Sequence, residues 1–171
     1  MIYLRFLLSL LRHKWFVLRA GRLVGVPLWR LIIHDCSKFS RSEFAAYARS
    51  FHGDYSQSPG DRERVTAEFV FAWLHHENKN PHHWGYWIPR SGKSAGIPLA
   101  MPETYVRELI ADCMGASKAY TGSWNMAAWL NENGPHWKIH EKTLDHIWAV
   151  MIELGYVITD NCEWSWLGPG R

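Results

Sequence analysis

Five residues in this chain have the types and positions needed to hold a metal ion: His13, the adjacent pair His34 and Asp35, His76, and Asp112. Imidazole nitrogens mixed with carboxylate oxygens suit one or two divalent transition-metal ions (Mn, Co, Fe, Ni or Zn) better than an all-oxygen Mg site. Such an ion acidifies bound water and polarises a phosphoryl oxygen, which is the chemistry of metal-assisted hydrolysis. Each residue also has a plainer explanation. A lone His on an apolar helical face is commonly hydrogen-bonded structure, Asp35 can pair with Lys38 along a helix, and Asp112 can pair with an arginine such as Arg30. Their number favours the metal, because a polar group left unpaired in an apolar interior costs about 2 to 7 kcal/mol and one ion satisfies several at once.

The elements that must position these residues read as helices. Phe6, Leu10, His13 and Val17 recur at spacings of four, three and four, placing His13 on the inward face of a helix over about residues 2 to 20. After a break at Gly21, Gly25 and Pro27, the run LWRLIIHDCSKF predicts a short helix presenting His34 and Asp35 near its end. Ser40 and Glu43 fit a capping box that opens a helix through about Phe51. Residues 53–61 read as a loop, and the helix expected after it carries Phe69, Ala72, Trp73 and His76 on one face. A helix begun by Pro102 carries Tyr105, Leu109, Asp112 and Ala116 as a stripe, so Asp112 faces inward. A short helix at about 125–132 and a last one from about His140 to Leu154, with Leu144, Ile147, Trp148 and Met151 on one face, complete the chain. No strand-like alternation is convincing, TGSW and YVIT being weak signals. The expected fold class is all-α, a compact bundle of six to seven helices. It forms one domain over 1–171, with the motif region at about 10–120 and a helical extension at about 123–171.

The order of these residues resembles the HD superfamily of metal-dependent phosphohydrolases. The likeness rests on His13 in RHKW, His34-Asp35 in IIHDCSKF, the pairs His75-His76 and His82-His83 in HHENKNPHHW, and Asp112 in IADCMG. The chain is also similar to small phage and bacterial proteins carrying H-D-x-S-K-F followed by H-H-x-x-N-x-H-H-W. The resemblance implies an HD-like bundle in which His13, His34, Asp35 and Asp112 bind a first metal. Asp35 can then bridge to a second ion held by His76 and His83, with His75 and His82 as alternates. It implies catalytic roles for Asp35, Lys38 and His76, Lys38 meeting substrate phosphate, although Ser37 stands where related motifs have glycine. Lys14, together with Arg90 or Lys93, could add positive charge for a phosphate. Trp84, beside the histidines, could stack a nucleobase or, with Trp87, close the bundle, and the run Pro89 to Pro98 reads as a surface loop able to act as a lid. The implied activity is cleavage of a phosphate ester or anhydride of a small molecule, with mono-, tri- or cyclic nucleotides as the expected class. The competing readings are a non-catalytic nucleotide- or protein-binding module and a di-iron oxygenase on the same kind of bundle.

Composition sets outer bounds. A net charge of +3, from 19 basic and 16 acidic residues, is too mild for a dedicated nucleic-acid binder. Cys36, Cys113 and Cys162 are odd in number and lack C-x-x-C spacing, so the expectation is no disulfide framework and a reducing, cytoplasmic location. The 11 tryptophans would permit a homo-oligomer if several are exposed. The apolar N-terminus is interrupted by Arg5, Arg12, Lys14 and Arg19, which argues against a membrane span. An amphipathic helix lying in a membrane interface is the other reading of that segment. His136, His140 and His146, with Asp145, are read as structural or surface residues.

Overall fold

The four-three-four recurrence of Phe6, Leu10, His13 and Val17 becomes the buried side of helix α1, Ile2–Leu23, in the computed structural model, which describes residues 1–55 and 58–168. Gly25, at φ +76, turns the chain into α2, Leu28–Ile33. Here the structure corrects the expected run of helix through His34 and Asp35. Helix α2 stops at Ile33, His34 and Asp35 form a turn in which Asp35 adopts the left-handed conformation (φ 58), and a 3-10 turn follows at Cys36–Phe39. A non-glycine residue there costs about 1 kcal/mol or more, less for aspartate than for most, and such residues concentrate at functional sites.

The expected capping box at Ser40 and Glu43 does not form. Helix α3, Phe44–His52, has Glu43 as its N-cap residue with no side-chain cap, and the Glu43 carboxylate turns into the protein instead. Helix α4, Pro59–Lys79, starts within the expected loop because Pro59 suits a first helical turn; residues 56–57 of that loop lie outside the described residues. A 3-10 turn at Trp84–Trp87 leads through an exposed loop to α5, Glu103–Thr121, then α6, Ala127–Asn133, and α7, Glu141–Glu153. Residues 169–171, the end of the expected helical extension, are also outside the described region. The buried side of α7 is rotated from the expected one: Thr143, Ile147, Val150 and Met151 are covered, whereas Leu144 and Trp148 are exposed.

The expectation of no strands needs a small correction. Tyr156–Ile158 (β1) pairs antiparallel with Trp164–Trp166 (β2), and Asn131 fastens Trp164 through hydrogen bonds at both its backbone N–H and carbonyl. YVIT was thus a true strand signal, its pairing decided by the tryptophans downstream. With seven α-helices and this one hairpin among the described residues, the protein is a compact all-α bundle.

Two apolar clusters divide the interior. Phe6 and Leu10 join Tyr47, Ala48 and Ala72 from α3 and α4, while Val17 and Ala20 join a larger core from α5, α6, α7 and β1. His13 lies on α1 between the two, so the polar residues form a layer sandwiched between apolar ones. Helix α1 meets α5 closely at Gly115, where a Cβ atom would lie 2.5 Å from a Val17 methyl and 2.7 Å from its backbone nitrogen. Gly115 is about one turn from Asp112 and Val17 one turn from His13, so this contact sets the separation of two candidate ligands. Among the described residues, no helix is long and apolar enough to cross a membrane.

Candidate metal centre

Four elements meet in the polar layer. His13 comes from α1, His34 and Asp35 from the break after α2, His76 from α4 with His82 and His83 just beyond it, and Asp112 from α5. Asp35 is fully buried and lies at the middle. Its Oδ2 is 3.4 Å from His13 Nε2 and 3.6 Å from His34 Nε2, and its Oδ1 is 3.2 Å from His76 Nε2 and 3.6 Å from His82 Nε2. Asp112 Oδ1 lies 3.0 Å from His13 Nε2 and 3.4 Å from His34 Nε2. Two sets of four ligands result, His13–His34–Asp35–Asp112 and Asp35–His76–His82–His83, each with ligand atoms within 4.8 Å of one another and with Asp35 common to both.

The Nε2 atoms of His13, His34, His76, His82 and His83, and Oδ1 of Asp35, are buried yet make no hydrogen bond. Those of His13, His34, His76 and His82 stand at ion-pair distances from aspartate oxygens without a hydrogen bond. Buried polar atoms are almost always satisfied, and six unpaired ones gathered in one layer could hold a cation. Charge points the same way. Asp35, Glu43, Glu108 and Asp112 place four carboxylates in the layer, against the fixed cations Arg30 and Lys38. These carboxylates outnumber the two fixed cations, and His34, whose pKa they raise, carries a proton that a bound ion would replace.

The outer nitrogens are held separately. Glu108 Oε1 receives His34 Nδ1 at 3.1 Å and His82 Nδ1 at 3.4 Å, while its other oxygen is gripped by Arg30 Nε and Nη2 at 2.9 and 2.6 Å. Glu43 takes His75 Nδ1 at 2.7 Å and His76 Nδ1 at 2.9 Å, and accepts from the Ser37 hydroxyl at 3.0 Å. A carboxylate on Nδ1 fixes the tautomer that leaves Nε2 free to bind a metal.

Electrostatics sort the group. Burial opposes ionisation of both aspartates and is outweighed, by the charges of His34 and Lys38 at Asp35 and by close contact with His13 and His34 at Asp112, so both stay well below the usual carboxylate range. Burial would also depress His34, but Asp35, Asp112 and Glu108 raise its pKa to about 10. His82 is pushed down by burial and by His34, and His83 further by burial and by its neighbours His82 and His76. Those two imidazoles are therefore neutral, the form that ligates.

All six expected ligands, His13, His34, Asp35, His76, His83 and Asp112, are brought together. His82 joins them, while His75 stays outside both sets, half-buried against Glu43. Lys38 reaches Asp35 with Nζ at 2.5 Å from Oδ2, so serine at position 37 leaves the lysine at the site. Lys38 and Asp112, with side chains 14% and 15% exposed, form the edge of the cluster that solvent reaches. Lys14 turns elsewhere: its ammonium donates to the carbonyls of Ile32 and His34, holding the end of α2. Trp84 lines a crevice with Trp87, Pro98 and Lys138, and Arg90 lies where its charge acts on Glu77.

Glu43 and Glu108 escaped the reading of the sequence. Glu43 was absorbed by a capping motif, and Glu108 has one available signal, its position one helical turn before Asp112. Arg30 does pair with a carboxylate on α5, though with Glu108 and not Asp112.

No curated protein and no solved structure matches this chain. A family model does, over residues 3–158, which takes in every residue of the cluster: the chain belongs to DUF5662, a family of unknown function.

Proposed function

We propose that the cluster binds one or two divalent transition-metal ions and that the protein is an HD-type phosphohydrolase, cleaving a phosphate ester or anhydride of a small molecule, with nucleotides as the substrate class. The observation that carries this reading is the pair of four-ligand sets sharing Asp35, with their buried inward atoms unpaired. The bound ion supplies acidified water and a Lewis-acid contact to phosphoryl oxygen. The chain supplies the rest. Glu108 and Glu43 keep the Nε2 faces of His34, His82 and His76 toward the ion. Lys38, at the solvent edge, places a positive charge where phosphate must approach and can follow charge developing on the transferred oxygens. The apolar clusters on both sides limit water to that edge, which strengthens each electrostatic contact.

The test is metal analysis of protein purified without added metal, followed by a nucleotide screen with Mn and Co. Wild type is expected to hold one to two equivalents and to release phosphate or a nucleoside monophosphate. Asp35→Ala should keep its helical circular dichroism but lose both. Unchanged nucleotide after prolonged incubation of metal-loaded protein would move the assignment to a binding module. The carboxylate common to two His-rich sets supports one second reading, a di-iron oxygenase. Iron near two equivalents together with oxygen consumption would establish it.

A further inference from the structure

Helix α1 has a second apolar face, and it points to solvent. Leu4, Leu8, Leu11 and Trp15, at spacings of four, three and four, are 61%, 59%, 49% and 58% exposed. At 100° per residue this stripe lies opposite the buried Phe6, Leu10, His13 and Val17. Exposed Arg5, Arg12 and Arg19, seven residues apart, run along one edge of the stripe, and α1 contains no acidic residue. On its other edge stands α2, tied by the Lys14 bond to the Ile32 carbonyl, with Leu28, Trp29, Ile32 and Ile33 all exposed.

We propose that this face docks the protein on an anionic lipid bilayer, with α1 lying parallel to the membrane plane. The leucines and Trp15 would enter the boundary between headgroups and acyl chains over roughly 16 Å of helix. The arginine row would meet lipid phosphates. Charge selects this occupant over a second copy of the chain. Antiparallel pairing of two α1 stripes across a twofold axis sets the two arginine rows side by side, with no carboxylate on either helix to offset them. The proposal is independent of the metal reading, because the stripe and the ligands occupy opposite sides of α1.

The test is co-sedimentation of the full chain with vesicles of phosphatidylcholine alone or mixed with phosphatidylglycerol. Wild type is expected to sediment with the anionic vesicles, weakly with neutral ones, and less as salt rises. A Leu8→Glu/Trp15→Glu double variant should remain in the supernatant with unchanged circular dichroism, since it alters solvent-facing side chains. An Arg5→Gln/Arg12→Gln/Arg19→Gln variant should bind roughly fivefold more weakly for each arginine removed. Wild type left in the supernatant with anionic vesicles at low salt, or a double variant that binds as tightly as wild type, would overturn the proposal. So would a dimer in solution, measured by light scattering, that the double variant splits while no vesicle binding is seen, which would assign the face to self-association.

Discussion

His34, His76 and His82 each have Nδ1 against a buried carboxylate and Nε2 aimed without a hydrogen bond toward Asp35. His140 uses its Nδ1 differently, accepting from the backbone N–H of Lys142 as the cap of α7. Both kinds of histidine recur along the same sequence, and nothing in the residue type separates them. The difference lies in the second partner. A ring whose outer nitrogen meets a carboxylate presents its other nitrogen at a fixed angle to a shared centre, whereas a ring that accepts a hydrogen bond from a backbone N–H uses that lone pair locally.

The comparison can be broken most sharply at Asp35. Replacing it with alanine removes the one ligand common to both sets, so bound metal should fall below detection by elemental analysis; His140→Ala should leave the metal content unchanged. Retention of both ions by Asp35→Ala would show that the sets are independent. Glu108→Gln is the next largest effect. It keeps the shape but weakens the hold on His34 and His82, and loss of such an outer partner typically lowers metal affinity about 10- to 100-fold; competition with a chelator reads this directly. An affinity unchanged by Glu108→Gln would reduce Glu108 to the partner of Arg30.

Gly115→Ala separates geometry from ligand chemistry, since it alters no candidate ligand. The added methyl must push α1 from α5 at Val17, and overpacking of this kind costs about 1 to 3 kcal/mol. Denaturant unfolding should report that loss, and metal affinity should fall with it as His13 moves away from Asp112. The smallest effect belongs to the outer group. His140→Ala removes a helix cap, worth roughly 1 kcal/mol for the usual capping residues, and a lowered melting temperature without a change in metal content is the expected result.

Much of the centre was legible because helical periodicity reports which way a side chain faces. His13, His76 and Asp112 sit on predicted inward stripes, and the structure places them inward. His34 and Asp35 were placed at the right point for a partly wrong reason, since the helix ends before them and the left-handed backbone of Asp35 turns its carboxylate into the cluster. Periodicity cannot report a local break of that kind. Nor can it weigh Glu43, whose position satisfies a capping motif locally while His75, His76 and Ser37 offer it stronger partners from elsewhere in the chain.

By itself the sequence determined the class of fold, the approximate helices and most of the inward-facing candidate ligands, because these depend on spacing along one chain and on the cost of burying polar groups. Only the tertiary structure decided that His82 joins the cluster and His75 does not, that Glu108 serves two imidazoles while Arg30 restrains it, and that α1 leaves an apolar stripe uncovered. Those outcomes depend on which surfaces of distant segments meet. The close contact of Gly115 with Val17 and the turn at Asp35 set those meetings through three-dimensional packing, which no count along the chain contains.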